Sequence, residues 1–131
     1  MTEVLLFSDD EKIFNLINSV IDGRYKLIWC TYKSLEKKLY PYPDIVIMYF
    51  DKEMVKKGTF KTIVQVKGRL GQRIPILTLM EEGTPQNIFS TLIAGAYDYL
   101  EIVKNSKEYK KKIEDAIRWN WYLGKYGLRE K

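Results

Sequence analysis

Blocks of apolar residues recur along this chain, separated by stretches in which apolar residues return every three or four positions. An unbroken apolar run of four to seven residues is typical of a strand covered on both faces, and the three-to-four spacing is typical of an amphipathic helix. The pattern predicts five strands, at residues 4–7, 25–31, 44–50, 74–80 and 97–102. A predicted helix follows each of them.

Capping residues set the predicted helix boundaries. Ser8 and Glu11 have the spacing of a capping box at the start of the first helix, and Thr84 followed by Pro85 predicts the start of the fourth. The predicted helices run from the first capping box to residue 22, over 34–40, 58–70 and 84–96, and from Asn105 or Ser106 through a long last segment.

Five strand–helix units joined by short connections predict a parallel sheet with helices on both faces and right-handed crossovers. The predicted fold class is α/β, a flavodoxin-like doubly wound five-stranded parallel sheet of (βα)5 order with an extended C-terminal helix. A chain of 131 residues with 46% apolar content is large enough for one domain with its own core. Ligands of such folds gather at the carboxyl ends of the strands.

Composition excludes several kinds of chemistry. The chain has no histidine, which removes Ser-His-Asp and Cys-His catalysis and histidine-based metal sites. Neither a glycine-rich phosphate loop nor a nucleophile–base pair is found, so we expect no enzyme. Cys30 is the only cysteine and fits a reducing cytoplasm. We expect no secretory leader and no membrane span, because no apolar run approaches the roughly 20 residues that a span needs.

The net charge of +5 is concentrated at the C-terminus. Residues 104–131 hold nine Lys or Arg and four Asp or Glu, and the first 103 residues sum to zero. Four aromatic residues lie among these charges: Trp119, Trp121, Tyr122 and Tyr126. Such a segment can pack on its own domain or a second subunit, contact another protein, or bind nucleic acid or an acidic membrane. The acidic residues within it weaken the nucleic-acid hypothesis.

Three stretches give the chain a family resemblance. They are residues 4–11, which are similar to an opening strand and acidic turn; residues 43–51, a Pro-Asp pair and an apolar strand; and residues 74–77 with 94–100, the last reading Ala-Gly-Ala-Tyr-Asp-Tyr-Leu. In this order and spacing they resemble response-regulator receiver domains, the CheY-like superfamily. The resemblance spans about residues 2–118, so we expect a receiver-like domain at 1–118 and a basic aromatic extension of the last helix at 119–131.

Receivers use five side chains for phosphoryl chemistry, and this sequence departs from the family at four of them. The two acidic residues after the first strand match Ser8 and Asp9, and the phosphoacceptor aspartate matches Tyr49. The Thr or Ser that ends the fourth strand matches Met80, and the lysine after the fifth strand matches Ile102. A phenol cannot form an acyl phosphate, and Ile102 cannot offset phosphoryl charge. The resemblance therefore implies a degenerate, or pseudo-receiver, pocket.

Two aspartates keep an alternative open. Asp51 lies two residues beyond Tyr49 and would be a displaced phosphoacceptor, and Asp9 is a weak candidate for holding Mg²⁺. Asp9 and Asp10 also suit the N-terminus of the first helix, where negative charge is favoured. Tyr49 is either a plug that fills the pocket or a strand-end aromatic with its hydroxyl in water. We expect no cofactor, and magnesium only if the alternative holds.

The family resemblance also implies an interaction surface. Tyr99 matches the aromatic that changes rotamer when receivers are activated, and Tyr97, Trp119 and Trp121 lie near it in the predicted topology. The resemblance implies contacts through the fourth predicted helix, the fifth strand and the last helix, which the family numbers α4-β5-α5. We expect a protein partner there, with a homodimer as one form of it.

The sequence therefore supports one hypothesis and two alternatives. The hypothesis is an atypical, phosphorylation-independent receiver-like signalling module that acts through protein–protein contacts in the cytoplasm. The first alternative is a single-domain response regulator that still accepts phosphate on an aspartate. The second is a nucleic-acid-binding adaptor that uses the basic tail.

Overall fold

The protein forms a single five-stranded, entirely parallel sheet, as the sequence predicts. The computed structural model describes residues 1–101 and 106–126. The strand order is β2-β1-β3-β4-β5, so the chain reverses direction across the sheet once, between β1 and β3. The strands are β1 (Glu3–Phe7), β2 (Lys26–Cys30), β3 (Ile45–Phe50), β4 (Ile76–Met80) and β5 (Asp98–Glu101).

Helices cover both faces of this sheet. They are α1 (Glu11–Ile21), α2 (Tyr32–Glu36), α3 (Lys52–Lys57), α4 (Phe60–Leu70), α5 (Pro85–Ala94) and α6 (Ser106–Lys125). No helix among the described residues combines the length and the apolar character needed to cross a membrane.

The core consists of two layers, one on each face. Successive residues of a strand point to opposite faces, so Val4 and Leu6 of β1 pack with α1 and α6, and Leu5 and Phe7 pack with α2 and α4. Every residue of β3 and β4 is buried. The unbroken apolar runs of the sequence therefore reflect burial on both faces, as expected for the central strands of a parallel sheet.

The capping prediction at Thr84 and Pro85 is confirmed, and the one at Ser8 and Glu11 is wrong. Thr84 forms a capping box with Asn87, and Pro85 is the first helical residue. Helix α1 is instead capped by Asp10, whose side chain accepts from the backbone N–H of Lys12 at 2.9 Å. The Ser8 hydroxyl instead takes part in a local turn, in which it accepts a hydrogen bond of 2.9 Å from the N–H of Asp10.

Two further elements differ from the prediction. Helix α2 begins at Tyr32, two residues before the predicted start, because Thr31 is the residue that caps it. It also ends by residue 36, and Lys38 lies in the left-handed region of the backbone with φ 59°. Helix α3 was not predicted, since only Met54 and Val55 are apolar among its six residues. Its start is set by a cap from Asp51.

Helix α6 is one continuous element across residue 118. Its inward stripe contains Tyr109, Ile113, Ala116, Asn120 and Leu123, all buried. The first part of the predicted extension thus belongs to a helix that packs on the domain at least as far as Leu123. Residue Asn105, a predicted cap, and residues 127–131 lie outside the described part of the chain.

Candidate functional site

A pocket of about 350 Å³ opens at the carboxyl edge of the sheet, where the resemblance places phosphoryl chemistry. It lies between the residues that follow β1, those that end and follow β3, and the loop after β4. The residues that line it are Asp9, Asp10, Glu11, Tyr49, Asp51, Met54 and Glu81. Parallel strands bring these three segments to one edge, which is why residues far apart in sequence meet here.

Tyr49, the penultimate residue of β3, closes the floor of this pocket. Its side chain is only 5% exposed, and its hydroxyl donates a hydrogen bond of 2.7 Å to Oε2 of Glu81. Burial and this hydrogen bond raise the pKa of the Tyr49 phenol well above its usual value. The residue in the phosphoacceptor position is therefore a neutral donor that is already bound to a carboxylate.

A second tyrosine, Tyr32, is hydrogen-bonded to the same end of β3. The hydroxyl of Tyr32 donates to the backbone carbonyl of Tyr49 at 2.7 Å, and burial raises the pKa of Tyr32 well above its usual value. The backbone N–H of Tyr32 donates to Oδ1 of Asp9 at 3.0 Å. Asp9 thus accepts from the first residue of α2, whereas the neighbouring Asp10 caps α1. The expectation that both aspartates serve α1 is therefore wrong for Asp9.

Asp51 lines the pocket but has a structural partner. Its Oδ1 accepts from the backbone N–H of Met54 at 2.9 Å, which is the N-cap bond of α3. A carboxylate at a helix N-terminus is stabilised by the orphan N–H groups of the first turn. The proposed displaced acceptor is therefore already engaged in holding a helix.

The loop after β4 is bonded to the segment that ends β3 and begins α3. The backbone N–H of Glu81 donates to the carbonyl of Phe50 at 3.0 Å, and Nζ of Lys52 lies 3.3 Å from Oε1 of Glu82. With the Tyr49–Glu81 bond, these contacts make three links between the two segments. Together they close one side of the pocket.

The remaining residues predicted for the pocket do not line it. Ser8 is fully buried beneath it, and Met80 packs into the core layer that contains α2 and α4. Ile102 lies outside the described residues. Sequence reasoning missed Tyr32 and Glu81, and only the position of Glu81, directly after the Met80 that ends β4, could have signalled its place at this edge.

The described lining of the pocket is strongly acidic. Five of the seven described residues that line it are acidic, and none of these seven is basic. A phosphoryl dianion would meet like charge here unless a cation neutralised these carboxylates. Within residues 1–101 and 106–126, no group of three or more Asp, Glu, Cys or His side chains is arranged to hold a metal ion.

Tyr99, the predicted switch residue, is held by a lysine of α6. Nζ of Lys112 donates to the backbone carbonyl of Tyr99 at 2.6 Å and lies 4.3 Å from the centroid of the Tyr99 ring. The same ammonium is 3.5 Å from carboxylate oxygens of Asp98 and Glu108. The Lys112 ammonium of α6 therefore contacts both the ring and the backbone carbonyl of Tyr99.

Exposed apolar side chains flank β5, the edge strand. Helix α5 packs on one face of the sheet and α6 on the other, so the outer edge of β5 lies between them. We define the α5–β5–α6 surface by the exposed residues Phe89, Leu92, Ile93, Tyr97, Trp119 and Tyr122. Tyr97, Trp119 and Tyr122 line a shallow hollow there, and the rings of Trp119 and Tyr122 are stacked with centroids 6.0 Å apart.

Trp121 does not belong to this surface. It lines a separate groove with Tyr25 and Asp44, beside the residues that precede the first three strands. The structure therefore brings together Tyr97 and Trp119 among the predicted interaction residues, and places Trp121 on another side of α6.

Comparison with known proteins supports the fold. No protein-family model matches the sequence, and no curated protein matches it. Among solved structures, the chain is similar to a putative response regulator from Chloroflexus aurantiacus, with 21% identity, a TM-score of 0.72, and 89% of this chain and 98% of that one covered.

Two Pseudomonas aeruginosa proteins are similar as well. The receiver domain of a sensor histidine kinase, which has a magnesium ion coordinated in its active-site cleft, is 18% identical with a TM-score of 0.69, covering 88% of this chain and 97% of that one. A CheY-like protein, TadZ, is 10% identical with a TM-score of 0.74, covering 88% of this chain and 99% of that one. The fold is thus that of response-regulator receiver domains.

Proposed function

We propose that this protein is a phosphorylation-independent, receiver-like signalling module, a binding protein and not an enzyme. The observation that carries the proposal is the hydrogen bond from Tyr49 to Glu81, which occupies the phosphoacceptor position with a buried, neutral phenol. The fold supports a role in two-component-type signalling. The closed pocket supports a role that needs no phosphoryl transfer.

The surroundings of Tyr49 support the same conclusion independently of that residue. Mg²⁺ binds through several oxygen ligands in near-octahedral order. Here the three aspartates of the pocket, Asp9, Asp10 and Asp51, each accept a backbone N–H. A metal bound by them would compete with these N-terminal N–H groups of α1, α2 and α3 for the carboxylates.

The α5–β5–α6 surface is the proposed contact site for a protein partner. Large exposed apolar patches on a folded domain mark interaction sites, and aromatic side chains are enriched in the cores of interfaces. The contacts of Lys112 with the ring and the backbone carbonyl of Tyr99 tie β5 to α6, which supports a contact surface that needs no switching event. A homodimer through this same surface is the other occupant that the family resemblance suggests.

Phosphoryl uptake tests the proposal directly. The protein is incubated with acetyl phosphate and Mg²⁺ and its intact mass is recorded. We expect no added phosphoryl group on the wild type, nor on Tyr49→Asp alone, because Met80 and Ile102 remain unsuited. The triple variant Tyr49→Asp, Met80→Thr, Ile102→Lys is the matched control. Strong labelling of the wild type would overturn the proposal.

The second candidate function is a true phosphoreceiver, and the presence of Asp9 and Asp51 in the pocket is the observation that favours it. Labelling of the wild type that disappears in Asp51→Ala or Asp9→Ala would establish it. Labelling that survives both changes would place the phosphoryl group elsewhere on the chain.

A further inference from the structure

The α5–β5–α6 surface has two hollows at the end that lies near the amino edge of the sheet. Their volumes are about 280 and 170 Å³, and Tyr97 and Trp119 line both of them. Arg118 lines the first hollow and Arg73 lines the second. The two aromatic residues are therefore flanked by an arginine on each side.

Basic residues outnumber acidic residues in the described lining of these hollows. Lys67, Arg73 and Arg118 are basic, and Asp115 is acidic. Oδ2 of Asp115 accepts from Nζ of Lys111 at 2.9 Å, and its Oδ1 lies 3.6 Å from Nη1 of Arg118. One carboxylate is thus shared between two cations, which leaves positive charge beside the aromatic residues.

The other charged groups near Tyr97 do not cancel this positive charge. Arg73 is exposed, and it forms no ion pair with any residue of the described ranges 1–101 and 106–126. Asp98, the residue after Tyr97, lies 3.5 Å from Nζ of Lys112. The carboxylate of Asp98 therefore already has a cation beside it.

The rest of the surface is apolar. Helix α5 has no charged residue in its ten positions, and its residues Phe89 and Ile93 are 64% and 63% exposed. Tyr122, beside Trp119 on α6, is exposed as well. A molecule that covers this surface must therefore present apolar groups to α5 and hydrogen-bond acceptors of negative charge to the arginines.

We propose that the α5–β5–α6 surface binds an acidic, apolar segment of a partner protein. Its large apolar side chains pack on α5 and in the two hollows, and its Asp or Glu carboxylates bind Arg73 and Arg118. Arginine holds a carboxylate through two parallel N–H donors, and complementary charge at an interface selects the partner. The inference rests on the proposed function, because it gives the chemistry of the partner for the contact surface proposed there.

The charge of the surface disfavours a second copy of this chain as the occupant. A two-fold interface brings the same patch of both copies together. A patch with excess positive charge would then meet like charge, which costs binding free energy. A partner of opposite charge meets no such repulsion.

A nucleic acid fits the surface less well than an acidic protein segment. Proteins hold a phosphate backbone with a row of Lys and Arg side chains along the binding groove. Here the basic residues lie at one end of the surface, and α5 supplies none. The exposed side chains of Phe89 and Ile93 need an apolar cover, which a sugar-phosphate backbone does not provide.

Selection from a random peptide library displayed on phage tests the chemistry of the partner. The full chain is the bait, and peptides that also bind Trp119→Ser are removed. We expect the remaining peptides to combine Asp or Glu with large apolar residues. Trp119-dependent peptides that are neutral or basic would overturn the inference and leave the contact surface of the proposed function intact. A selection that yields no Trp119-dependent peptide would overturn that contact surface and the inference with it.

Fluorescence anisotropy of one selected peptide measures the role of the arginines. We expect the double variant Arg73→Gln, Arg118→Gln to raise the Kd of the peptide about tenfold. The matched control is Lys33→Gln, Lys37→Gln, which removes two positive charges at exposed positions of α2 and its C-cap and should leave the Kd unchanged. Equal losses in the two double variants would overturn the inference, because the peptide would then respond to net charge alone. Thermal melts establish that both variants are folded.

Two further measurements address the other occupants. A thymidine oligonucleotide that binds more tightly than the selected peptide, and loses binding in Trp119→Ser, would overturn the inference in favour of a nucleic acid. Sedimentation equilibrium of the full chain tests the second copy. A wild-type dimer that Trp119→Ser dissociates would overturn the inference as well, and we expect no such dimer.

Discussion

The pocket at the carboxyl edge and the α5–β5–α6 surface differ in how their side chains are used. In the pocket, Tyr49, Asp9 and Asp51 are each hydrogen-bonded to another part of the same chain. On the surface, Phe89, Ile93 and other large apolar side chains are exposed to solvent. The side chains at the positions of receiver phosphoryl chemistry are bonded within the chain, whereas the α5–β5–α6 surface exposes apolar side chains to solvent.

The largest expected effect comes from removing the Tyr49 side chain. Tyr49→Ala leaves a cavity in the core layer of α1 and α6, and large-to-small changes of buried aromatics cost about 3–5 kcal/mol. Tyr122→Ala, at an exposed aromatic, should change the free energy of unfolding by less than about 0.5 kcal/mol. Urea denaturation of both variants measures the difference. Equal effects would remove the contrast between the two regions.

Removing only the Tyr49 hydroxyl sharpens the same contrast. Tyr49→Phe deletes a hydrogen bond to a carboxylate, which contributes about 1.5–3 kcal/mol. It should also alter the pH dependence of stability. The pKa of Tyr49 is raised in the folded protein, so its contribution is fully present below about pH 10, the usual tyrosine pKa, and is lost at higher pH.

Two other buried tyrosines add to that alkaline loss. Burial raises the pKa of Tyr109 to about 12, and the pKa of Tyr32 is raised as well. The free energy of unfolding, measured from pH 8 to pH 12, should therefore fall above pH 10 in the wild type and fall less steeply in Tyr49→Phe. Identical slopes in the two proteins would show that the Tyr49 phenol is solvated.

Substitutions of Asp51 test whether its carboxylate has a structural role or is a phosphoacceptor. Asp51→Ala removes the N-cap of α3 and should lower stability by about 1 kcal/mol, with faster amide exchange in residues 52–57. Asp51→Ser, which can cap the helix but cannot form an acyl phosphate, should recover most of the loss. A serine variant as unstable as the alanine variant would contradict the capping role.

The smallest effect on stability is expected on the contact surface. Trp119→Ser changes a side chain that is 42% exposed and should alter the free energy of unfolding by less than about 0.5 kcal/mol. It should nevertheless weaken binding of the protein partner, because exposed aromatics in a patch are common anchors. Lys111→Ser, at an exposed position of the same helix, is the control for binding. Equal binding by both variants would exclude Trp119 from the interface.

The fold was predictable because the apolar sequences of the central strands indicate that both of their faces are buried. Residues 45–50 and 76–80 are unbroken apolar or β-branched runs, and both are buried throughout. Helix α3 was not predictable in the same way, because four of its six residues are charged and its start depends on one cap from Asp51. The caps of α1 and α2 were misplaced because several neighbouring polar residues could each have served.

The pocket was predictable in position and not in its contacts. The resemblance places Tyr49 and Asp9 at one edge, and the structure brings them to one pocket. The partner of Tyr49 lies 32 residues away, in a loop with no periodic pattern. The geometry of this loop depends on Glu82, which has a left-handed backbone with φ 56°. It also depends on the hydrogen bond from the backbone N–H of Glu81 to the carbonyl of Phe50. Neither can be read from local residue types.

The most direct test of the closed pocket is an amide NMR titration of the wild-type protein with Mg²⁺ and then beryllofluoride, which mimics a phosphoryl group. We predict no saturable shifts at Asp9, Tyr49 or Met80, because Tyr49 stands in place of the acceptor aspartate and Asp9 and Asp51 each accept a backbone N–H. Saturable shifts at these residues that extend to Tyr99 would contradict the account and show a working phosphoryl switch.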